Sequence, residues 1–306
     1  MSWDNKKTEL KMPSEMKDRI DPLIEERAGW LFSDKLGTRH ARRILNAMLG
    51  YRKTIALGER FRDMPSAELM RELGDMLARD VEVSGLSNVP RSGPALIVAN
   101  HPTGIADGIM LNHVLRDIRP DLYFFANHDI LRVLPQMEDM IAPVEWRKDK
   151  RSHGKTRETM AYTRKAVEAD RLGIIFPSGR LAKRRGLCLH EREWMGSAAM
   201  IARKFELPII PLNIRARNSV LFYLFDFIHP SLRDITLFHE TLNKGRQPYR
   251  ITVGEPISAA ALPQKSEDGI EMLRRATLAL GGPRAPAVSL LDNSARPSWL
   301  KALTAT

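Results

Sequence analysis

The feature that most restricts how this chain can fold is a recurring pattern of short, uninterrupted apolar runs. Residues 95–99 and 173–176 each lead into a turn marked by Pro and Gly, and residues 207–214 form a third run punctuated by Pro208 and Pro211. Runs of this length bounded by turn residues read as strands buried on both faces. Residues 81–83, 123–126 and 249–253 read as further strands, with helical patterns between them, notably around 154–170 and 194–205. This alternation predicts an α/β architecture, a central and largely buried sheet flanked by helices.

The first 80 residues carry no strand pattern and predict a helical N-terminal region. Pro65 and Ser66 open its clearest helix, which places Leu69, Leu73, Met76 and Leu77 on one face. Earlier, Trp30, Leu31, Phe32, Leu36, Ile44, Leu45, Met48 and Leu49 alternate with Arg39, Arg42 and Arg43. That pattern suits a membrane interface, and it suits packing on the main domain equally well. The expected organisation is thus a helical region over 1–80, an α/β domain over 81–260, and a C-terminal helix and tail over 261–306, punctuated by Gly281, Gly282, Pro283 and Pro286.

Within this framework residues 95–108 carry the chemistry. His101 falls just beyond the end of a strand, and Asp107 falls at or near the N-cap of the helix that begins with Ile109, Met110 and Leu111. The intervening loop is short enough to bring the two side chains together. An imidazole with a pKa of about 6.5 can take a hydroxyl proton at neutral pH, and a carboxylate on its other nitrogen fixes the tautomer. Either residue alone reads as a helix cap or a satisfied histidine. The pair suits acyl transfer without a covalent enzyme intermediate.

A second run, residues 171–186, ends its strand in Phe176-Pro177-Ser178-Gly179 followed by the cations Arg180, Lys183, Arg184 and Arg185. A His/Asp block, a Phe-Pro-x-Gly block and a Pro-rich strand, in this order, resemble the glycerolipid acyltransferase superfamily. The first block matches His-Pro-x-Gly-x-x-Asp-Gly of its bacterial hemolysin-like and lyso-ornithine-lipid O-acyltransferase branch at His101, Pro102, Gly104, Asp107 and Gly108. Residues 218–233 and 240–257 are similar to that branch too. Two departures from the wider family stand out. Five residues separate His101 from Asp107 where the superfamily at large has four, and Ser178, Arg180 and Leu181 replace the Glu, Thr and Arg of its usual Phe-Pro-Glu-Gly-Thr-Arg block.

The resemblance implies an O-acyltransferase in which His101 is the base and Asp107 orients it. It implies substrate contacts from Gly104, Ser178, Gly179 and Arg180, with backbone amides near Gly104 or in the Ser178-Gly179 turn as oxyanion donors. Arg147 is the candidate for the family's substrate-binding arginine. The acceptor would be a lysolipid, with lyso-ornithine lipid favoured over lysophosphatidate, and the donor an acyl carrier protein or CoA thioester. No cofactor or metal is called for. A non-catalytic, membrane-associated protein of the same fold is the alternative from another class.

Composition fits an enzyme peripheral to the cytoplasmic face of the inner membrane. No stretch approaches the ~18 uninterrupted apolar residues of a spanning helix. The most apolar segment, residues 220–228, is too short and contains Asp226, and the polar N-terminus shows no secretory signal. A formal charge of +11 favours anionic lipid and acidic carriers. Nucleic acid is not favoured, because neither a recognition motif nor a basic patch interleaved with aromatics is present. Cys188 is the single cysteine, which excludes an intramolecular disulfide and a cysteine zinc cage. His190 and Glu193 share a helical spacing but supply only two metal ligands.

Overall fold

The computed structural model describes residues 15–145, 152–282, 287–291 and 293. The strands are β1 (Val81–Ser84), β2 (Ala95–Ala99), β3 (Tyr123–Asn127), β4 (Ile141–Val144), β5 (Leu172–Ile175), β6 (Lys183–Arg185), β7 (Cys188–His190), β8 (Ile209–Arg215), β9 (Tyr249–Val253) and β10 (Ala287–Ser289). Seven of them form one sheet in the order β1-β9-β8-β2-β5-β3-β4, and the short strands β10, β7 and β6 form a second. All neighbours in the large sheet run parallel except β8 and β9. The fold is therefore α/β, as the apolar runs predict, and every residue of β2 and β5 is buried.

Helices cover both faces. The helices are α1 (Glu15–Ala28), α2 (Leu36–Met48), α3 (Tyr51–Phe61), α4 (Ser66–Leu77), α5 (Ile105–Leu115), α6 (Asp129–Val133), α7 (His153–Glu168), α8 (Ser197–Lys204), α9 (Val220–Ile228), α10 (Pro230–Ile235), α11 (Leu237–Asn243) and α12 (Ser266–Ala279). The two-residue period of β2 sends Ala95, Ile97 and Ala99 into a core shared with α4 and α5, and Leu96 and Val98 into one shared with α8 and α12. In α4, Leu69 and Leu77 are buried as the pattern predicts, but Met76 is exposed and Met70 takes a core position instead.

Two short strands are not evident from the sequence pattern. Pro143 and Val144 read as a turn, yet they end β4, whose residues Ala142 and Pro143 pair with Phe125 and Ala126. As the last strand in the order, β4 has one unpaired edge, and a proline can sit there without costing a ladder bond. The cationic run at Lys183 belongs to an antiparallel ribbon, in which Lys183, Arg184 and Arg185 pair with His190, Leu189 and Cys188.

Candidate active site

The site begins where β2 stops. Asn100 replaces the backbone ladder with its side chain: Nδ2 donates to the Ile214 carbonyl at 2.8 Å, and Oδ1 accepts from the Ile214 amide at 2.7 Å. The main chain is thereby freed to turn. His101, the next residue, is held by its own backbone, with its amide donating to Glu191 Oε2 (3.2 Å) and its carbonyl accepting from the Ala182 amide (2.9 Å). Its ring stacks on Phe176 from the end of β5, at 4.2 Å between centroids and 26° between planes. The imidazole is thus fixed from two neighbouring segments before any carboxylate is considered.

Asp107 lies at the third position of α5 rather than at its N-cap, which Gly104 occupies with φ of 97°. That backbone region is open mainly to glycine, and a Cβ here would stand 3.1 Å from the Leu181 side chain. From this place in the first turn the fully buried carboxylate reaches back over the helix start. Its Oδ2 accepts from the amides of Thr103 (2.9 Å) and Gly104 (3.0 Å), and its Oδ1 accepts from the Thr103 hydroxyl at 2.5 Å. The N-cap amide and the amide before it are satisfied this way, the backward-reaching half of a capping box.

The same Oδ2 stands 3.0 Å from Nδ1 of His101, which is 18% exposed. The distance suits a hydrogen bond but the alignment does not, and Nδ1 has no well-directed partner among the described residues. Catalytic hydrogen bonds are often misaligned until substrate binds. With Nδ1 turned to Asp107, Nε2 is the nitrogen left for a reacting hydroxyl.

A relay that the sequence did not reveal supports the carboxylate. The Thr103 hydroxyl spends its single proton on Asp107, so the Tyr249 phenol, 2.5 Å away, must donate to Thr103. Tyr249 lies at the start of β9 and is fully buried, and burial holds its phenol well above the usual range, hence protonated. Glu191 was also missed. It lies between β7 and α8, accepts from Trp194 Nε1 at 3.0 Å as well as from His101, and burial pushes its carboxyl up. The only trace of either in the sequence is the similarity noted over residues 240–257 for Tyr249. Glu191 belongs to no motif, because it meets His101 across 90 residues.

The other expected site residues divide. Ser178 is buried and donates to the Arg180 carbonyl at 2.8 Å, closing the turn after β5 beside Glu191. Arg180 is exposed at that turn, and its charge, with that of Arg233, acts on Arg192, whose own pKa burial lowers first. Arg147 lies outside the described residues. Of the amides expected as oxyanion donors, that of Gly104 is engaged by Asp107 and that of Gly179 donates to the Phe176 carbonyl at 2.9 Å. Among the described residues no group of three or more His, Cys, Asp or Glu side chains converges as a metal site would require.

Comparison with known proteins converges on the same region. Residues 80–215 match the family model described as Acyltransferase. The chain is 25% identical over 190 residues to the lyso-glycine lipid O-acyltransferase of Phocaeicola vulgatus, a match covering 60% of this chain and 66% of that protein. It is 22% identical over 202 residues to the lyso-glycine lipid O-acyltransferase of Bacteroides thetaiotaomicron, covering 64% and 72%. The matched segments thus span about two thirds of these relatives. The crystal structure of the 1-acyl-sn-glycerophosphate acyltransferase PlsC from Thermotoga maritima superposes with a TM-score of 0.48 and 13% identity, over 81% of this chain and 98% of that one. The His101-to-Asp107 loop lies inside the matched segment, and the family model and the two lyso-glycine lipid relatives support the resemblance of this chain to the glycerolipid acyltransferase superfamily.

Proposed function

We propose that the protein is a lysolipid O-acyltransferase, moving a fatty acyl group from a carrier thioester to the hydroxyl of a lysolipid with an amino-acid head group. The observation that carries this reading is the 3.0 Å approach of Asp107 to the inner nitrogen of His101, on a loop whose backbone is fixed from both sides. His101 Nε2 takes the acceptor hydroxyl proton, and the oxygen attacks the thioester carbonyl carbon. Collapse of the tetrahedral intermediate breaks the C–S bond, and the thiolate leaves with the proton from the imidazolium. Asp107 stays ionised throughout and stabilises the imidazolium.

Arg180, at the mouth of the Ser178-Gly179 turn, is the residue to hold an acidic group of donor or acceptor. The relatives are named for glycine lipids and the sequence motif resembles the ornithine-lipid branch, so an amino-acid head group is common to both. The donor is acyl carrier protein or CoA. Every proton in this scheme moves between His101 and substrate, so chelation by EDTA should leave turnover unchanged. No helix among the described residues is long and apolar enough to cross a membrane, and the proposed location is peripheral, on the cytoplasmic face of the inner membrane.

The test is to incubate the purified protein with acyl carrier protein and CoA thioesters and a panel of lyso-glycine, lyso-ornithine and lysophosphatidate acceptors, read by mass spectrometry. O-acylation of an amino-acid lysolipid is expected. Acylation of lysophosphatidate alone would overturn the head-group assignment, and none at all would overturn the enzymatic reading.

A further inference from the structure

Helix α9 is apolar on both sides, yet among the described residues only one side is covered. Phe222 and Phe225 are buried. On the other side Val220, Leu224, Phe227 and Ile228 are 74%, 52%, 79% and 59% exposed. Their spacing of four, three and one residues makes a single stripe along the helix. The start of α9 is firmly anchored: Ser219 Oγ accepts from the Phe222 amide at 3.2 Å, and the Ser219 amide donates to Glu240. Glu240 in turn holds the fully buried Lys244 ammonium at 2.9 Å. An apolar stripe on a fixed helix is a presented surface rather than a frayed end.

Helix α2 packs into the same cluster as α9 and carries an exposed apolar side of its own. The two helices meet over one cluster, in which Leu49, Phe225, Leu31 and Ile235 are buried and Leu45 and Leu221 pack beside them. No residue of α2 is buried, and a cavity of about 320 Å³ lies beneath it against α1, α3 and α11. Its outer side carries exposed Leu36, Ile44 and Met48 together with exposed Arg39 and Arg43. The inner side of α9, through Phe222, Tyr223 and Asp226, walls a crevice with Leu181, Ala182 and Arg192. Ala182 is the residue whose amide holds the His101 carbonyl.

We propose that α9 and α2 together form the docking surface for an anionic lipid bilayer, the α9 stripe entering the interfacial region and Arg39 and Arg43 meeting lipid phosphates. The bilayer is the occupant that fits both halves of this surface. Apolar side chains gain by leaving water for the acyl boundary, and the flanking cations are drawn to negative head groups. A docked α9 would place the crevice beside His101 against the membrane that carries a lysolipid acceptor. This last step rests on the function proposed above, whereas the surface itself does not.

The experiment is cosedimentation of the full chain with phosphatidylcholine vesicles containing phosphatidylglycerol. Leu224→Glu and Phe227→Glu should each lower the partition coefficient roughly tenfold or more, and Phe227→Ser should give a smaller loss of the same sign. Arg39→Ala with Arg43→Ala should weaken binding and flatten its salt dependence. Met200→Glu, which changes an exposed apolar residue on α8, should bind as wild type. Wild-type binding by both α9 variants would overturn the proposal. So would conversion of a wild-type dimer to a monomer by Phe227→Glu, since a second copy would then be the occupant. With acceptor in detergent micelles the α9 variants should keep wild-type turnover. If the wild type turns over nothing in micelles, the functional reading fails while the vesicle result still decides the docking surface.

Discussion

At the scale of single residues, His101 and Asp107 form one device with Thr103 and Tyr249 behind it. On the proposed mechanism His101 is the general base, and removing such a base costs roughly two to four powers of ten in turnover, so His101→Ala should be nearly inactive and still folded. Asp107→Asn keeps the shape but places an amide where two backbone amides now donate to a carboxylate oxygen. It should lose activity and some stability together. If the aspartate acts through the histidine, as the proposed mechanism requires, the double variant should be scarcely slower than His101→Ala alone. Thr103→Val separates the layers: it leaves His101 and Asp107 in place but strips a donor from Asp107 and leaves the buried Tyr249 phenol without its acceptor. It should cost about 1–3 kcal/mol of stability, seen in urea denaturation, and a smaller loss of turnover than Asp107→Asn. Thr103→Val as active and as stable as wild type would show that the relay does nothing.

At the scale of elements, the sequence is most legible where burial is most complete and least where pairing decides. The runs at β2 and β5 are apolar throughout, and that at β8 is apolar up to Asn213, because both faces of each strand are covered, and that composition needs no partner to be recognised. β4 is hidden by Pro143, which reads as a turn residue and here sits on an edge strand. β6 is hidden because its cations look solvated, and only the pairing with β7 makes it a strand. At the site, His101 and Asp107 are six positions apart and visible as a motif, whereas Glu191 and Tyr249 reach the same loop from distant segments through backbone and hydroxyl contacts. The packing of α4 on α5 carries a pH signature of its own. His113 on α5 leaves so little room that a Cβ on Gly74 would meet it at 3.0 Å. Burial, and then the Arg116 guanidinium, lower its pKa, outweighing Asp75 at 3.4 Å. The folded state therefore resists protonating His113 while the unfolded chain accepts a proton near pH 6.5. Stability is fully present above that pH and is lost as pH falls toward the lowered folded value, by at most about 1.4 kcal/mol per pH unit. His113→Asn should reduce the difference in unfolding free energy between mildly alkaline and mildly acidic buffer. An unchanged difference would show that His113 titrates as freely in the fold as out of it.

At the scale of the whole molecule, the helices before the sheet act as part of its wall, which decides how membrane attachment can be tested. Met16, Ile20 and Leu23 of α1 are buried with Val133 of α6. Arg27 pairs with Asp129 at 2.8 Å, and Arg19 donates to the Val133 carbonyl at 3.0 Å. Phe61, Leu69, Met70 and Leu77 from α3 and α4 belong to the same core as Ile97 of β2. Deleting these helices would uncover that core, so lost vesicle binding in a truncated chain would report unfolding rather than a missing anchor. Single core truncations give the cleaner measurement. Ile20→Ala should destabilise by about 2–5 kcal/mol, a cavity cost that rises with how little the surroundings can collapse. If α1 and the sheet unfold as one unit, native-state hydrogen exchange should show protection falling by the same free energy in the amides of α1 and of β2. If α1 were a separable layer, protection would fall in α1 while β2 kept its wild-type value, and the N-terminal region would then be free to leave the sheet for the membrane.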